Sequence, residues 1–284
     1  MAMEFETFSF LPAREVAALV EDRFTERLGV AVHFDGTRRW YLRTYGACEH
    51  DLYNEDYASK TMQRIRDISE MMFRDGVTAL YLPALGKRIE VERGPQYARF
   101  QADSLTHALL EEDMLEFCRG LGIRLSCYGG VERLATRLER ELRERQDVAG
   151  VERYMRWGVF AGSPLGDFSQ RAVALSAKLG RAPTAAEILA DYYAGPHIPV
   201  HIWIGQKRPS VYGVPFLLNS RTSLYFLQFP TPLLDRLTWR RVLYDAMYIR
   251  GDDSELFPED VPLEREILGL GKLADGRWVA QQTC

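Results

Sequence analysis

The sequence predicts an α/β fold, a mostly parallel central sheet with helices on both faces. Three observations carry that prediction. Short apolar runs such as Gly29-Val30-Ala31-Val32 and Val77-Thr78-Ala79-Leu80-Tyr81-Leu82 read as buried strands. They alternate along the chain with segments of helical periodicity, the pattern of parallel strands joined by crossover helices. No shift in composition divides the 284 residues, so a single domain spanning 1–284 is expected, long enough to bury a sizeable core.

The elements follow in order. Pro12 to Leu28 reads as a helix on Val16, Leu19, Val20 and Phe24, and the strand 29–34 follows. Tyr41 to Tyr57 is polar and aromatic and reads as a loop. Ser59 to Asp75 is a helix with Met62, Ile65, Ile68 and Met72 on one face, closed by Gly76. The strand 77–82 is expected to stop at Pro83, and 84–98 to be a loop. Helices are expected over 103–119, ended by Gly120, and over 131–146, with the strand 123–127 and a Gly129-Gly130 turn between them. A strand over 154–161 and a helix over 168–179 come next. Thr184 and Glu187 form a capping box that starts a helix to Tyr193. Strands at 200–204 and 222–228, a long helix from Pro232 to Arg250 and a hairpin about Asp275-Gly276 complete the chain.

Composition narrows the function. The net charge of −4 leaves no bulk basic field, so nucleic acid is not an expected partner. With 46% hydrophobic and 27% charged residues, the chain has the make-up of an ordinary soluble protein. No apolar run nears the length of a membrane span, and residues 1–10 lack a secretory signal, so a cytoplasmic protein without stable membrane insertion is expected. Cysteines 48, 118, 127 and 284 have no metal-ligand spacing and read as free thiols.

The densest chemistry follows the first strand, in Asp35-Gly36-Thr37-Arg38-Arg39-Trp40. Arginine forks match phosphate oxygens two at a time. A neighbouring carboxylate suits a hard cation shared with that phosphate. The stretch therefore reads either as a Mg²⁺–diphosphate site or as a surface Asp–Arg salt bridge after a strand. Trp40 reads as core. Other candidates are weaker. The sequence has no P-loop, GxGxxG, GxSxG or HExxH. His197 and His201 flank a non-helical Ile-Pro-Val, and Asp252-Asp253-Ser254-Glu255 reads as a solvated turn. The tyrosines at 41, 45, 53, 57, 81 and 97, with Met62, Met71, Met72 and Phe73, are either core or the wall of a cavity for an apolar chain.

Asp35 to Trp40 resembles the Asp-Gly-Asn-Gly-Arg-Trp signature of the cis-prenyltransferases, the undecaprenyl diphosphate synthase fold. Further similarity runs through 65–84, Tyr128-Gly129-Gly130 with Arg133-Leu134, and 200–226. In one branch of that fold, which holds the tuberculosinol, tuberculosinyl-adenosine and kolavelool synthases, the match is longer. It covers Phe-Asp-Gly-Thr-Arg-Arg-Trp at 34–40, Thr-Ser-Leu-Tyr-Phe at 222–226 and Arg-Arg-x-Leu-Tyr-Asp-x-x-Tyr-x-Arg at 240–250. Chain-elongating relatives have an arginine after the late strand and a glutamate before Leu-Tyr-Phe. Gly205-Gln206 and Ser223 stand there instead, which suggests that a second diphosphate site is dismantled.

The resemblance implies a Mg²⁺-dependent enzyme that ionises a bicyclic diterpenyl diphosphate of kolavenyl or tuberculosinyl type, supplied by a class II diterpene cyclase. Asp35 would hold the metal, and Gly36, Thr37, Arg38 and Arg39 the diphosphate. Tyr57 and Tyr97, carried over from the branch's pattern, would flank the allylic cation or activate the attacking water. Capture by water, giving a kolavelool- or tuberculosinol-like tertiary alcohol, is the expected outcome. Transfer to a nucleoside such as adenosine, cis-prenyl elongation and a non-catalytic partner role are the alternatives. A homodimer is the fold's usual state.

Overall fold

The computed structural model describes residues 3–24, 27–85, 94–129, 133–146, 150, 152–159, 164–206, 210–250, 271–274 and 277–279. Eight described strands form one sheet. In chain order they are β1 (Gly29–Val32), β2 (Ala79–Leu85), β3 (Ile123–Gly129), β4 (Arg153–Val159), β5 (Val200–Gln206), β6 (Ser223–Leu227), β7 (Gly271–Ala274) and β8 (Arg277–Val279). Their spatial order is β3-β4-β2-β1-β5-β6-β7-β8. All neighbours run parallel except the β7–β8 pair. The expected mostly parallel sheet is present, and the expected terminal hairpin is the β7–β8 pair, with Asp275-Gly276 outside the described residues.

The strand order changes direction beside β1. From β1 the chain passes to β2, then to β3 at the edge and back to β4 between them, before placing β5 on the other side of β1. Ligands of open parallel sheets bind beyond the carboxyl ends of the strands at such a reversal. The loop at Asp35 follows β1 there, and Gln206 closes β5 beside it.

The helices are α1 (Phe5–Phe10), α2 (Ala13–Arg23), α3 (Thr37–Tyr45), α4 (Glu55–Arg74), α5 (Pro95–Leu110), α6 (Glu112–Leu121), α7 (Arg133–Arg145), α8 (Pro164–Leu179), α9 (Ala185–Tyr192) and α10 (Arg236–Tyr244). Alternation along β2 and β4 sorts the interior into two faces. Leu80, Leu82, Met155 and Trp157 join an aliphatic core under α2, α4, α5 and α6. Tyr81 and Tyr154 join an aromatic core with Tyr192 and Tyr193 of the α9 end.

Several elements depart from expectation. Residues 37–45 are helical where a loop begins in the sequence reading, because Gly36 (φ 78°) starts the helix and Gly46 (φ 62°) stops it in left-handed conformations. Its Trp40 and Tyr41 are buried with Leu52 and Tyr57 in a cluster of their own, so Trp40 is core that backs Tyr57. Strand β2 runs through Pro83. Its pairing with β1 ends at Tyr81, so the missing N–H has no partner to lose on that side. The helix expected over 103–119 is two helices, broken at Glu111, whose ψ of 143° is extended. The long helix expected from Pro232 starts at Arg236, capped by the Asp235 carboxylate on Thr238 N–H at 2.8 Å, and loosens into a π turn at Asp245–Ile249. The capping box is as expected, with Glu187 N–H on Thr184 Oγ1 and Thr184 N–H on Glu187. Gly130, Gly251 and Asp252-Asp253-Ser254-Glu255 lie outside the described residues.

The motif at 240–250 builds scaffold. The Arg240 Nη2 donates to Asp75 Oδ1 at 2.7 Å, and its Nη1 reaches the carbonyls of Phe8 and Leu11, tying α10 to the end of α4 and to α1. Asp245 accepts from Tyr225 Oη at 2.6 Å and from Arg250 Nε at 2.7 Å, fixing the π turn to β6. Burial raises the Asp75 carboxyl above its ordinary range, against the pull of Arg240.

Candidate active site

The site is built on the turn from β1 into α3. Asp35 is exposed, and its Oδ1 accepts the Gly36 N–H at 2.6 Å. A late segment clasps the turn: Thr231 N–H donates to Asp35 O at 3.1 Å, and Thr231 Oγ1 to His33 O at 2.9 Å. A Cβ on Gly36 would lie 2.9 Å from Pro230 Cβ, so only glycine fits between turn and clasp.

The structure brings most of the expected residues together. Thr37 Oγ1 and Tyr57 Oη are hydrogen-bonded at 2.8 Å across α3 and α4. Arg38 and Tyr97 both lie close enough to Tyr57 to bias its ionisation, Arg38 down and Tyr97 up, but burial dominates and raises the phenol. Tyr57 is therefore a neutral hydrogen-bonding and aromatic group at ordinary pH. Tyr97 sits in the first turns of α5, its ring edge-on to Tyr53 at 5.9 Å. Arg39 turns the other way, towards β5, where Nη2 donates to Gln206 Oε1 at 3.1 Å.

Thr37 and Tyr57 open onto a cavity of about 140 Å³ between α4, α5 and the sheet. A cavity near this size holds one six-membered ring, so the rest of a bicyclic group would lie towards the mouth. Met62, Leu82, Leu105, Ala108 and Trp157 form its apolar wall. Trp157 is on β4, two strands from β1, about 10 Å across the sheet at ~4.8 Å per strand. Of the aromatic and methionine side chains read as core or cavity, Tyr57 and Met62 line the cavity, Met72, Phe73 and Tyr81 are core, and Tyr45 and Tyr53 are exposed.

Two residues at the turn are not among the expected site residues. His33 faces the cavity and hydrogen-bonds the Tyr212 hydroxyl; burial lowers its pKa more than Asp35 raises it, so it is neutral. Gln206 is read there only as an arginine not present, and Arg208 does follow two residues on, outside the described residues. Only Ser223 then stands for a dismantled second site. The weaker histidines stay outside the site chemistry: His201 Nδ1 accepts the Gly29 N–H at 3.2 Å, and His197 is exposed.

Among the described residues no cluster of three or more His, Cys, Asp or Glu side chains could cage a metal. A single exposed carboxylate beside arginines fits Mg²⁺ in its usual role, held by one or two carboxylates and by substrate phosphates. Among the described residues no helix is long and apolar enough to cross a membrane.

Solved structures match over most of the chain. The chain superposes on lavandulyl diphosphate synthase from Lavandula x intermedia, solved with dimethylallyl diphosphate, with a TM-score of 0.57 at 17% identity, over 78% of this chain and 94% of that one. It also superposes on a probable undecaprenyl diphosphate synthase from Campylobacter jejuni, with a TM-score of 0.53 at 18% identity, over 78% and 95%. The chain has the cis-prenyltransferase fold. No family model matches the sequence. Within this fold, the tuberculosinyl branch identified from the motifs also holds a full-length relative. Tuberculosinyl adenosine transferase of Mycobacterium tuberculosis (strain CDC 1551 / Oshkosh) is 26% identical over 296 residues, 96% of this chain and 97% of that protein.

That relative overturns one expectation. Water is not the supported nucleophile, because the full-length relative is named as a transferase to adenosine. The physical reason for the error lies in what the motifs govern. A carboxylate, two arginines and backbone N–H groups are suited to departure of diphosphate. They act before the cation is captured and do not choose its captor.

Proposed function

We propose that the protein transfers a bicyclic diterpenyl group from its allylic diphosphate to a nucleoside acceptor, adenosine in the first instance. The observation that carries this reading is the similarity, end to end, to tuberculosinyl adenosine transferase. The site chemistry supports it. The allylic C–O bond breaks, and the electron pair leaves with the diphosphate. Arg38, Arg39 and the Gly36 turn neutralise charge that builds on the leaving oxygens, and Thr37 orients them. Asp35 would hold Mg²⁺ beside them, and the ion when bound supplies further neutralisation of the leaving group. The apolar group lies in the cavity, where the face of Tyr57 stabilises the allylic cation, with Tyr97 close to Tyr57. A lone pair of the nucleoside then closes the new bond in place of water.

The test is incubation of the purified protein with Mg²⁺, a bicyclic diterpenyl diphosphate and adenosine, followed by mass analysis. The expected result is an adenosine adduct that requires all three. Diterpene alcohol alone, unchanged by adenosine, would refute the transferase reading.

A further inference from the structure

Gln206 ends β5 against the Asp35 turn and is only 7% exposed. Its Oε1 accepts a hydrogen bond from Arg39 Nη2 at 3.1 Å. A guanidinium can only donate, so this bond fixes which way the amide faces: oxygen to Arg39, nitrogen away from it. That nitrogen is buried and has no hydrogen-bond partner among the described residues. It lies against the backbone of the turn, where a Cβ on Gly36 would come within 3.0 Å of Nε2. The same missing side chain that admits the Pro230 clasp thus admits the amide. A buried NH₂ group left without an acceptor is costly, more so than a group never placed there. Beside Arg39 and the N–H groups of a helix start, the acceptor that matches it is an oxyanion.

We propose that Gln206 is a ligand of the leaving diphosphate, donating from Nε2 to one of its oxygens, as well as the residue that positions Arg39. The proposal rests on the diphosphate site described under the proposed function. It assigns a purpose to a residue that otherwise reads as the loss of a cation. A neutral donor there binds the oxyanion without adding charge, and its carbonyl holds the neighbouring fork in place.

The experiment is a double-mutant cycle on the full chain, read as the Kd for inorganic diphosphate with Mg²⁺ by calorimetry. It compares wild type, Gln206→Met, Arg39→Met and the double variant, with melting temperatures measured alongside. Gln206→Met is expected to weaken binding about tenfold or more, as for a hydrogen bond to a charged group. The loss is expected to persist, at about fivefold or more, in the Arg39→Met background, because the amide makes a contact of its own. If Gln206→Met costs less than about twofold once Arg39 is gone, Gln206 acts only through Arg39 and the direct contact is refuted. Gln206→Asn, which draws the amide back by one methylene, replaces Gln206→Met if that variant does not fold, with the same expected loss. A wild-type protein that does not bind diphosphate would bring down the site itself, and this proposal with it. Retained binding by wild type with an unaffected double cycle would bring down the proposal alone.

Discussion

The two faces of the sheet are packed by opposite means. The face under α4 and α5 is aliphatic and leaves a cavity whose mouth is the Asp35 turn. The other face is filled with rings, and three of its phenols donate to backbone carbonyls. Tyr81 donates to Ile198 O at 2.7 Å, Tyr128 to Gly213 O at 2.7 Å and Tyr193 to Pro215 O at 2.7 Å. Arg156, fully buried among them, donates to Tyr81 Oη at 2.8 Å and Pro196 O at 2.9 Å and lies over the ring of Tyr154. Directional bonds from large side chains to backbone carbonyls pin the chain segments covering that face. Aliphatic packing has no such direction and can leave room. One face is therefore suited to hold the fold and the other to hold a ligand.

The comparison is sharpest when each face is damaged separately. Asp35→Ala, at the mouth of the hollow face, is expected to cut diphosphate release by about 10³-fold, the scale of lost charge stabilisation at a leaving group, with an unchanged melting temperature. Turnover near that of wild type would remove Asp35 from the chemistry. Ala108→Phe puts a ring into the cavity wall. It is expected to lower kcat/KM for a bicyclic diterpenyl diphosphate about 10- to 100-fold, while a five-carbon allylic diphosphate is affected less. Equal losses for both substrates would mean that the cavity does not hold the apolar group. Tyr81→Phe, on the filled face, leaves Arg156 Nη1 without its phenol. Denaturant unfolding is expected to show a loss of about 1–3 kcal/mol, with turnover preserved; a turnover defect at full stability would break the division of labour.

The smallest effect concerns α9, which covers the filled face. Hydrogen bonding to Arg181, then to the Thr184 backbone and hydroxyl, lowers the Glu187 carboxyl to about 2. A carboxyl held below its unfolded value stabilises the fold above that unfolded value, and the contribution fades as pH falls towards about 2. Glu187→Gln is therefore expected to melt slightly below wild type at neutral pH, with the gap closing on acidification. A gap that widens in acid would reverse the sign of this linkage.

Parts of this molecule were legible because their causes are local. The β1 run, the Asp35 cluster and the Thr184–Glu187 capping box each lie within a few neighbouring residues. Helix α3 was missed because its start and stop are left-handed glycines around a polar, aromatic stretch, with little apolar periodicity to read. Pro83 misled because whether it ends a strand depends on where the β1 pairing ends, which the sequence does not print. The proximity of Tyr57 and Tyr97 to the turn was inferred by resemblance, since nothing in their spacing announces it. Gln206 stands out in the sequence only as a missing arginine, not as a donor. Its surroundings come from Arg39 and Gly36, about 170 residues earlier.

The clasp of Thr231 on His33 and Asp35 spans 198 residues of sequence. A ribosome adding ~5–20 residues per second would need roughly 10 to 40 s to make the intervening chain. During that interval the strand that leads to the candidate acid is already made, but only local bonds such as Gly36 N–H to Asp35 shape its turn. The site is thus among the last things the growing polypeptide completes, and a product of premature termination before Thr231 would carry the whole signature at 34–40 without the partner that sets its form.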